Sequence, residues 1–423
     1  METAARRRAL HVAARAVEQR INTDTSDHVG PTSPCGCGKP AQYAGRHEKT
    51  FTSVLGPLTL ERAYYHCKPC ETGFCPRDHA LGLDGSSLSP GVLRMVGIVG
   101  SRVSFEEGHD LLGELAGIDV PTKQVEREAE RLGREIAESE RHVIEPEVDR
   151  EIPATLYLGM DGTGIPMRKS ELQGRVGKQA DGSAKTREVK LVTVWSAEGR
   201  DKEGVPVRDE GSVTYSAAIE SAASRDTDEE PSEFARRAAR EATRRRFEKA
   251  ERHVVLGDGA EWIWNIAAEQ FPDAIQIVDR YHANEHLSDA AKAIYGTEGD
   301  LHKEWAHQRC TDLKAGKLDA VLEALAVHSS CEDAQGCSDY IRKNRHRMRY
   351  GEFHAAGLCT STAVVESGCK RAIGLRLKQG GMFWTVNGAN AIIALRCCRL
   401  STGPRKSVTS PAGGQKTGRR AGL

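Results

Sequence analysis

Two apolar runs in this chain stop on the same signature. Residues 156–167 read LYLGMDGTGIPM and residues 253–264 read HVVLGDGAEWIW, so Asp161 and Asp258 each sit where an apolar run breaks into glycine. A short apolar run bounded by such residues is the pattern of a buried strand. Asp and Gly at its end read equally as a turn. Ligand sites of open α/β sheets, however, collect at the carboxyl edge of the strands, and on that reading the two aspartates are oxygen ligands.

The surrounding pattern says what sheet would carry them. Strand-like segments ATLYLGMD, REVKLVTVWSA and GSVTYSAAIESA come first, separated by polar stretches. A helix-like segment, PSEFARRAAREATRRRFEKAERH, follows, then strand VVLGDGA, helix EWIWNIAAEQF and strand AIQIVDRYH. Three strands in a row and then alternation predict a mixed sheet, an antiparallel meander with parallel strands added beside it. The arginine-rich helix at 231–253 reads as a solvated face with pairs such as Glu233 with Arg237.

Neighbouring strands of such a sheet would bring Asp161 and Asp258 together, and adjacent carboxylates repel unless a cation holds them. Hard oxygen ligands suit Mg²⁺ or Mn²⁺, bound with substrate phosphates, which is the chemistry of two-metal phosphoryl transfer. A third acid is wanted. STAVVESGCKRAIGLRLKQGGMFW sets Glu366 in an apolar, small stretch that reads as a helix start, followed by Lys370, Arg371, Arg376 and Lys378 as phosphate-binding groups. Glu366 also fits a plain helix N-terminus, where the dipole favours an acid. Trp264 and Trp384 sit in apolar helical settings and read as core.

Lys+Arg and Asp+Glu number 60 each, so net charge argues for no polyanionic partner and only local patches can. No run approaches a membrane span. METAARRRALHVAARAVEQR reads as an amphipathic helix without the apolar core of a signal peptide, which points to a cytoplasmic protein without membrane contact. Five of the 12 cysteines, Cys35, Cys37, Cys67, Cys70 and Cys75, fall between residues 35 and 75, a cluster that without a secretion signal reads as metal-binding. CGCG, a polar stretch, β-like runs in FTSVLGPLTLERAYYH and then CKPC suggest a zinc ribbon, with Cys35, Cys37, Cys67 and Cys70 as Zn²⁺ ligands. Because C-x-C is tighter than C-x-x-C, Cys75 is an alternative fourth ligand.

Further on, Ser104 with Glu107 forms a capping box, Phe105, Leu112 and Leu115 give one apolar face, and Gly117 ends the helix. Pro121 and Thr122 open another, with Val125, Ala129, Leu132 and Ile136 inward. Two helices about a glycine turn are those of a helical hairpin or of a DNA-binding helix-turn-helix.

YLGMDGTGIP, GRVGKQADGSAKTREVKL, VVLGDGAEWIWNIA, QIVDRYHANEHL and VVESGCKRAIGLRLKQGGMFW together resemble the DDE transposases of the Kra-type bacterial insertion-sequence family, related to the Mutator-type transposases. The resemblance runs from the cysteines to about residue 400; the C-x-C knuckle departs from the C-x-x-C of the relatives. It implies a ribonuclease H-like core with the triad Asp161, Asp258 and Glu366 and a helical insertion between the second and third acids. It also implies a motif met by Asp279 and His282, with Asp279 in a supporting role. His282 and His286 lie one helical turn apart, so His282 reads as orienting phosphate or water, as a packed structural histidine, or as a metal ligand.

The expected fold is therefore α/β, a ribonuclease H-like mixed sheet with an all-helical insertion, preceded by a zinc ribbon and a helix-turn-helix-like region. Expected boundaries are 1–30 for an N-terminal helix and linker, 31–83 for the zinc ribbon and 84–150 for the helix-turn-helix-like region. The core is expected at 151–282 and 351–400, the insertion at 283–350, and a disordered basic tail at 401–423. The expected function is bacterial and nucleoid-associated: metal-dependent cleavage of DNA at terminal inverted repeats and transfer of the strand to target DNA, by a homo-oligomer, with no covalent protein–DNA intermediate. A junction-resolvase type of nuclease using the same acids, or a domesticated DNA-binding protein, are the alternatives; all three acids are present as carboxylates, which counts against lost catalysis.

Overall fold

The computed structural model describes residues 1–142, 144–147, 150–177, 179, 182–223, 225–227 and 229–401. The basic tail expected at 401–423 lies, beyond Ser401, outside the described residues. The chain divides into two compact units, Met1–Leu132 and Gly133–Arg405. No described helix is long and apolar enough to cross a membrane.

The first unit begins with α1, Glu2–Thr23. A four-stranded antiparallel sheet follows: β1 Thr32–Pro34, β2 Pro40–Ser53, β3 Gly56–Cys67 and β4 Thr72–Phe74, in that spatial order. The stretch after CGCG that reads as merely polar is part of β2. Its exposed face carries the polar residues, while Phe51 packs with Leu58, Leu60, Leu83 and Ala14 of α1. Polar bonds seat α1 on β3: Glu18 accepts from the Thr59 N–H at 2.7 Å, and the Asn22 amide donates to the Thr59 carbonyl at 2.9 Å.

Short helices α2 Pro76–Leu81, α3 Pro90–Gly100 and α4 Phe105–Leu111 come next, then α5 Thr122–His142. Ser104 accepts from the Glu107 N–H at 3.1 Å, as its capping role demands, and Gly117 closes the segment at φ 72°. Leu115 does not join the apolar face but is 70% exposed. The reason is that Leu112–Ala116 is a π-helical turn, whose wider spacing shifts the phase of the helix. Val125, Ala129, Leu132 and Ile136 are all buried.

The second unit is built on a five-stranded sheet. Its strands are β5 Thr155–Pro166, β6 Thr186–Ser196, β9 Thr214–Ala218, β10 Arg252–Gly257 and β11 Ile275–Val278; a small hairpin of β7 Gly199–Arg200 and β8 Pro206–Val207 lies between β6 and β9 in sequence. The order is β11-β10-β5-β6-β9. β5, β6 and β9 form the antiparallel meander, and β10 and β11 add in parallel beside β5, the mixed sheet that the pattern predicts. The first strand does not end at Asp161, as the Gly-Thr-Gly after it suggests, but continues to Pro166 because β6 pairs with it throughout.

α6 Glu233–Arg244 and α7 Glu261–Gln270 flank the parallel strands in sequence. Then come α8 Arg280–Tyr295, α9 Leu301–Lys314, α10 Leu318–Ala326, α11 Glu332–Asn344 and α12 Tyr350–Ala355, all helical between Asp258 and Glu366. α13 Ala363–Gly368, a π-helical turn Cys369–Gly374, α14 Leu375–Leu377 and α15 Val386–Leu400 close the unit. Trp264 and Trp384 are buried, as their apolar settings predict.

The arginines of α6 are not a solvated face. Arg237 is 4% exposed and forks onto Glu220 at 2.8 and 2.6 Å, with the Ser216 hydroxyl accepting at 2.9 Å, instead of pairing with Glu233. Arg244 pairs with fully buried Glu241, and Arg245, just past the helix, donates to the carbonyls of Val194 in β6 and of Ser212 before β9. Glu220 and Glu241 supply the counter-charges of Arg237 and Arg244 inside the protein, which an i, i+4 spacing does not reveal. Removing one member of such a pair strands the other in a poor solvent. Arg237→Ala should therefore cost about 3–5 kcal/mol in denaturant unfolding, and Glu233→Ala under about 0.5; equal effects would return α6 to the surface.

Candidate functional site

The first unit carries one compact set of ligand atoms. Cys35 and Cys37 sit in the knuckle between β1 and β2, and Cys67 and Cys70 in the knuckle between β3 and β4. The antiparallel pairing of β2 with β3 brings the two knuckles face to face. Sγ of Cys35 is 3.6 Å from that of Cys70, Sγ of Cys37 is 3.6 Å from that of Cys67, and all four sulfurs lie within 4.8 Å of one another. A tetrahedron with Zn–S bonds of ~2.3 Å has edges of ~3.8 Å, so the spacing fits Zn²⁺. The hydroxyl of Thr72, first among several groups, holds the Cys70 thiol down to about 6, which favours the thiolate that binds metal. The cluster can hold a metal ion such as zinc. Cys75 is not part of it: it precedes α2, buried, and burial raises its thiol. The C-x-C knuckle thus supplies both of its own ligands.

The second unit brings the acids into one cavity of about 500 Å³, lined by Asp161, Asp258, Asp279, His282, Glu285 and Glu366 among others. Strand register explains the first three. β10 pairs with β5 up to Leu256 opposite Gly159, and β11 with β10 up to Val278 opposite Gly257. Continuing the same offsets sets Asp258 beside Asp161 and Asp279 beside Asp258, a row across three strands just past the carboxyl end of their parallel pairing.

Glu366 arrives on α13, and two glycines let that helix down onto the sheet. A Cβ on Gly159 would lie 2.2 Å from Val365, and one on Gly368 would lie 2.9 Å from Leu191 and Tyr215. The Thr362 hydroxyl joins this helix to the row, bonding both Asp279 and, at 3.2 Å, Glu366. Asp279 is itself buried and caps α8, accepting from the Tyr281 N–H at 2.9 Å.

Asp161 accepts from the Gly162 N–H at 2.6 Å and from the Cys369 thiol. Burial nevertheless pushes its carboxyl above the ordinary range, with the charge of Asp258 adding to the rise. No described lysine, arginine or histidine forms an ion pair with Asp161, Asp258 or Glu366. Among the described residues the thiols are the only group of three or more such ligand atoms mutually within 4.8 Å. The three acids thus line one cavity, their oxygens not all within 4.8 Å of one another, with no cationic side chain paired to them among the described residues.

Tyr340, on α11, steadies the second acid. Its hydroxyl donates to the Asp258 carbonyl at 2.9 Å, and its ring covers Gly259, whose φ of +102° and 2.6 Å clearance exclude a Cβ. His286 stacks on the same ring at 4.1 Å, and His282 meets His286 edge-on at 4.9 Å. Burial, then the neighbouring His282, pushes the His286 imidazole down. His282 lines the cavity with Nδ1 3.3 Å from Glu285.

Of the four cations expected to meet phosphate, Lys370, Arg371 and Lys378 are exposed, and Lys378 reaches the Thr163 hydroxyl beside Asp161. Arg376 is fully buried over the Trp384 ring at 5.1 Å. It falls on the inward side of the last helical turns and is withdrawn from that set. Thr362, Cys369 and Tyr340 escaped sequence reading. The first two stand within one turn of Glu366 in TAVVESGC, a local signal for a helix start and its neighbour; Tyr340 had none, since its contact crosses 82 residues.

The profile of the uncharacterised protein family UPF0236 matches residues 41–409, from β2 through α15. The chain belongs to this family. No curated protein matches it. The UPF0236 match thus takes in two of the four thiols, Cys67 and Cys70, and the whole acidic cavity, while Cys35 and Cys37 lie before it.

Two measurements check this geometry. The purified protein should contain about one zinc per chain, lost in Cys67→Ser/Cys70→Ser and kept in Cys75→Ser; zinc loss in the last variant would reinstate Cys75. Gly159→Ala, which drives a methyl into Val365, should cost roughly 1–3 kcal/mol, read as a lowered melting temperature; an unchanged value would mean that α13 is not seated on Gly159.

Proposed function

We propose that this protein is a DDE-type transposase, cutting DNA at element ends and joining the freed 3′-hydroxyl to target DNA. The observation that carries the reading is that Asp161, Asp258 and Glu366, from three distant stretches of chain, line one cavity at the carboxyl edge of a mixed sheet. Further support comes from the meander with two added parallel strands, which suits a ribonuclease H-like core, and from the helices α8 to α12 between the second and third acids. The resemblance of the sequence blocks to Kra-type transposases points the same way.

The donors fit Mg²⁺ or Mn²⁺: three carboxylates without a cationic side-chain partner, one of them half-buried and short of compensation. When bound, such ions activate the attacking water or 3′-hydroxyl and stabilise the leaving oxygen. The protein's own groups set the acids in place. Cys369 and the Gly162 N–H hold Asp161, Tyr340 and the Ala260 N–H hold the turn of Asp258, and Thr362 orients Glu366. Lys370, Arg371 and Lys378 supply positive charge for the phosphate backbone. With Nδ1 engaged by Glu285, His282 offers its other ring nitrogen to a phosphate or a water. The zinc ribbon and the α4–α5 pair would read the terminal inverted repeats, and a homo-oligomer would hold two ends.

Incubated with Mg²⁺ or Mn²⁺ and a duplex bearing an element end, the protein should nick and then join strands. Asp161→Asn should lower both activities by more than the ~10–100-fold that losing a supporting partner costs, and leave end binding intact. Loss of binding instead would make Asp161 structural, and nicking without joining would make the protein a nuclease. A readout independent of activity follows from the raised Asp161 carboxyl. A folded value above the unfolded one means that its charge destabilises the fold increasingly as pH climbs past the ordinary carboxylate range, and fully above the raised value. Millimolar Mn²⁺ at neutral pH should therefore raise the melting temperature of the wild type more than that of Asp161→Asn.

A further inference from the structure

The strands that carry Asp161 outrun the sheet. β5 and β6 stay paired from Asp161–Leu191 to Pro166–Thr186, whereas β10 leaves β5 at Gly159 and β9 pairs with β6 only from Lys190 onward. A two-stranded arm thus projects from the carboxyl edge, starting at the first acid. Its far end is fastened on one side: the Trp384 N–H donates to the Pro166 carbonyl at 3.2 Å, and the Arg168 N–H to the Trp384 carbonyl at 2.9 Å. Five residues beyond Asp161 at ~3.4 Å each span ~17 Å, about five phosphate steps along a DNA strand.

The arm is cationic. Between residues 167 and 187 stand Arg168, Lys169, Arg175, Lys178, Lys185 and Arg187, against Glu171 and Asp181. Arg168, Lys169, Arg175 and Lys185 are exposed and Arg187 is half-buried. None of these five forms an ion pair with a described carboxylate, unlike Arg237 and Arg244 of α6, each held by an acid. Arg175 lies near enough to Arg187 that its charge, after burial, makes the Arg187 guanidinium harder to keep charged, with Glu171 offsetting only part. Neither guanidinium has a described carboxylate partner, and phosphate is the anion whose geometry matches their planar fork. Val176, next to Arg175, is 90% exposed, so no described residue buries this end of the arm. At the root of the arm itself, Lys378 reaches the Thr163 hydroxyl and adds to the positive charge there.

We propose that the β5–β6 arm is a DNA-binding surface, in which Arg175 and Arg187 grip backbone phosphates of the duplex flanking the phosphate that reacts at Asp161. This rests on the transposase reading above and extends it by naming where the substrate runs. DNA is favoured over an acidic protein because the arm begins at the acids themselves, so whatever lies along it also enters the cavity. The contact is to the backbone and reads no bases.

The test is the salt dependence of binding, by fluorescence anisotropy, of the full chain to a labelled 40-base-pair duplex. Each phosphate contact adds ~0.9 to the slope of log K against log salt. Arg175→Ala/Arg187→Ala should lower that slope by about 2 and weaken binding about tenfold near 0.1 M salt, with an unchanged melting temperature. Lys314→Ala/Lys317→Ala, which removes equal charge from exposed positions between α9 and α10, should leave the slope as it was. If the double arginine variant does not fold, Lys169→Ala/Lys185→Ala, both exposed, should show the same loss. An unchanged slope in the arm variants, or an equal drop in the control, overturns the proposal while Asp161→Asn still reports on catalysis. A wild type that binds no DNA overturns both.

Discussion

The parallel pairing of β10 with β5 is the constraint on which the candidate site depends. Five pairs, from Arg252–Thr155 to Leu256–Gly159, fix an offset that carries Asp258 alongside Asp161. A slip of one residue would turn one aspartate to the opposite face of the sheet, because side chains alternate along a strand. β11 repeats the device with Asp279. The apolar content of the runs before the acids, buried as Leu156, Leu158, Val254, Val255, Leu256 and Ile277, makes any other register costly. The hydrophobic pattern that builds the core therefore also places the charges.

Placing charges this way opposes folding, and the remaining structure manages the opposition locally. Asp161 is half-enclosed and lifted by burial, yet the hydrogen bonds to it come from one N–H and one weak thiol donor. Asp279, by contrast, is turned into structure: it caps α8 and ties to Thr362. The row thus splits into a carboxylate spent on packing and carboxylates left facing a cavity. Gly159 and Gly368 add the third, since only their missing side chains allow α13 to approach the sheet with Glu366 between them. The thiols of the first unit follow the opposite logic, gathered within 4.8 Å by a hairpin whose small core, Ala41, Ala63, Tyr65 and Cys67, lies beside them.

Much of this was legible in the chain because it is local. The apolar runs, the Ser104 capping box, the cysteine knuckles and the order of strands and helices are written in neighbouring residues, and the mixed sheet follows from them. What was not legible depends on partners far away. Gly-Thr-Gly-Ile-Pro after Asp161 reads as a turn until β6 pairs with it residue for residue. Arg237 reads as a surface helix residue until Glu220, just past the end of β9 and 17 residues away, reaches it. Arg376 sits among exposed cations in sequence, but the helical turn aims it at Trp384. Leu115 is turned outward by a π-turn that no periodicity announces. Tyr340 reaches Asp258 only because the helical insertion folds back over the turn.

The central claim is that Asp161, Asp258 and Glu366 form one cation-binding site, and anomalous diffraction tests it most directly. Crystals grown with Mn²⁺ and measured at the manganese edge should show density between Asp161 and Asp258, with carboxylate oxygens near the ~2.0–2.2 Å typical of small hard divalent ions and Glu366 drawn toward it. Manganese absent from the cavity, or bound with Glu366 swung away and another acid in its place, would contradict the account.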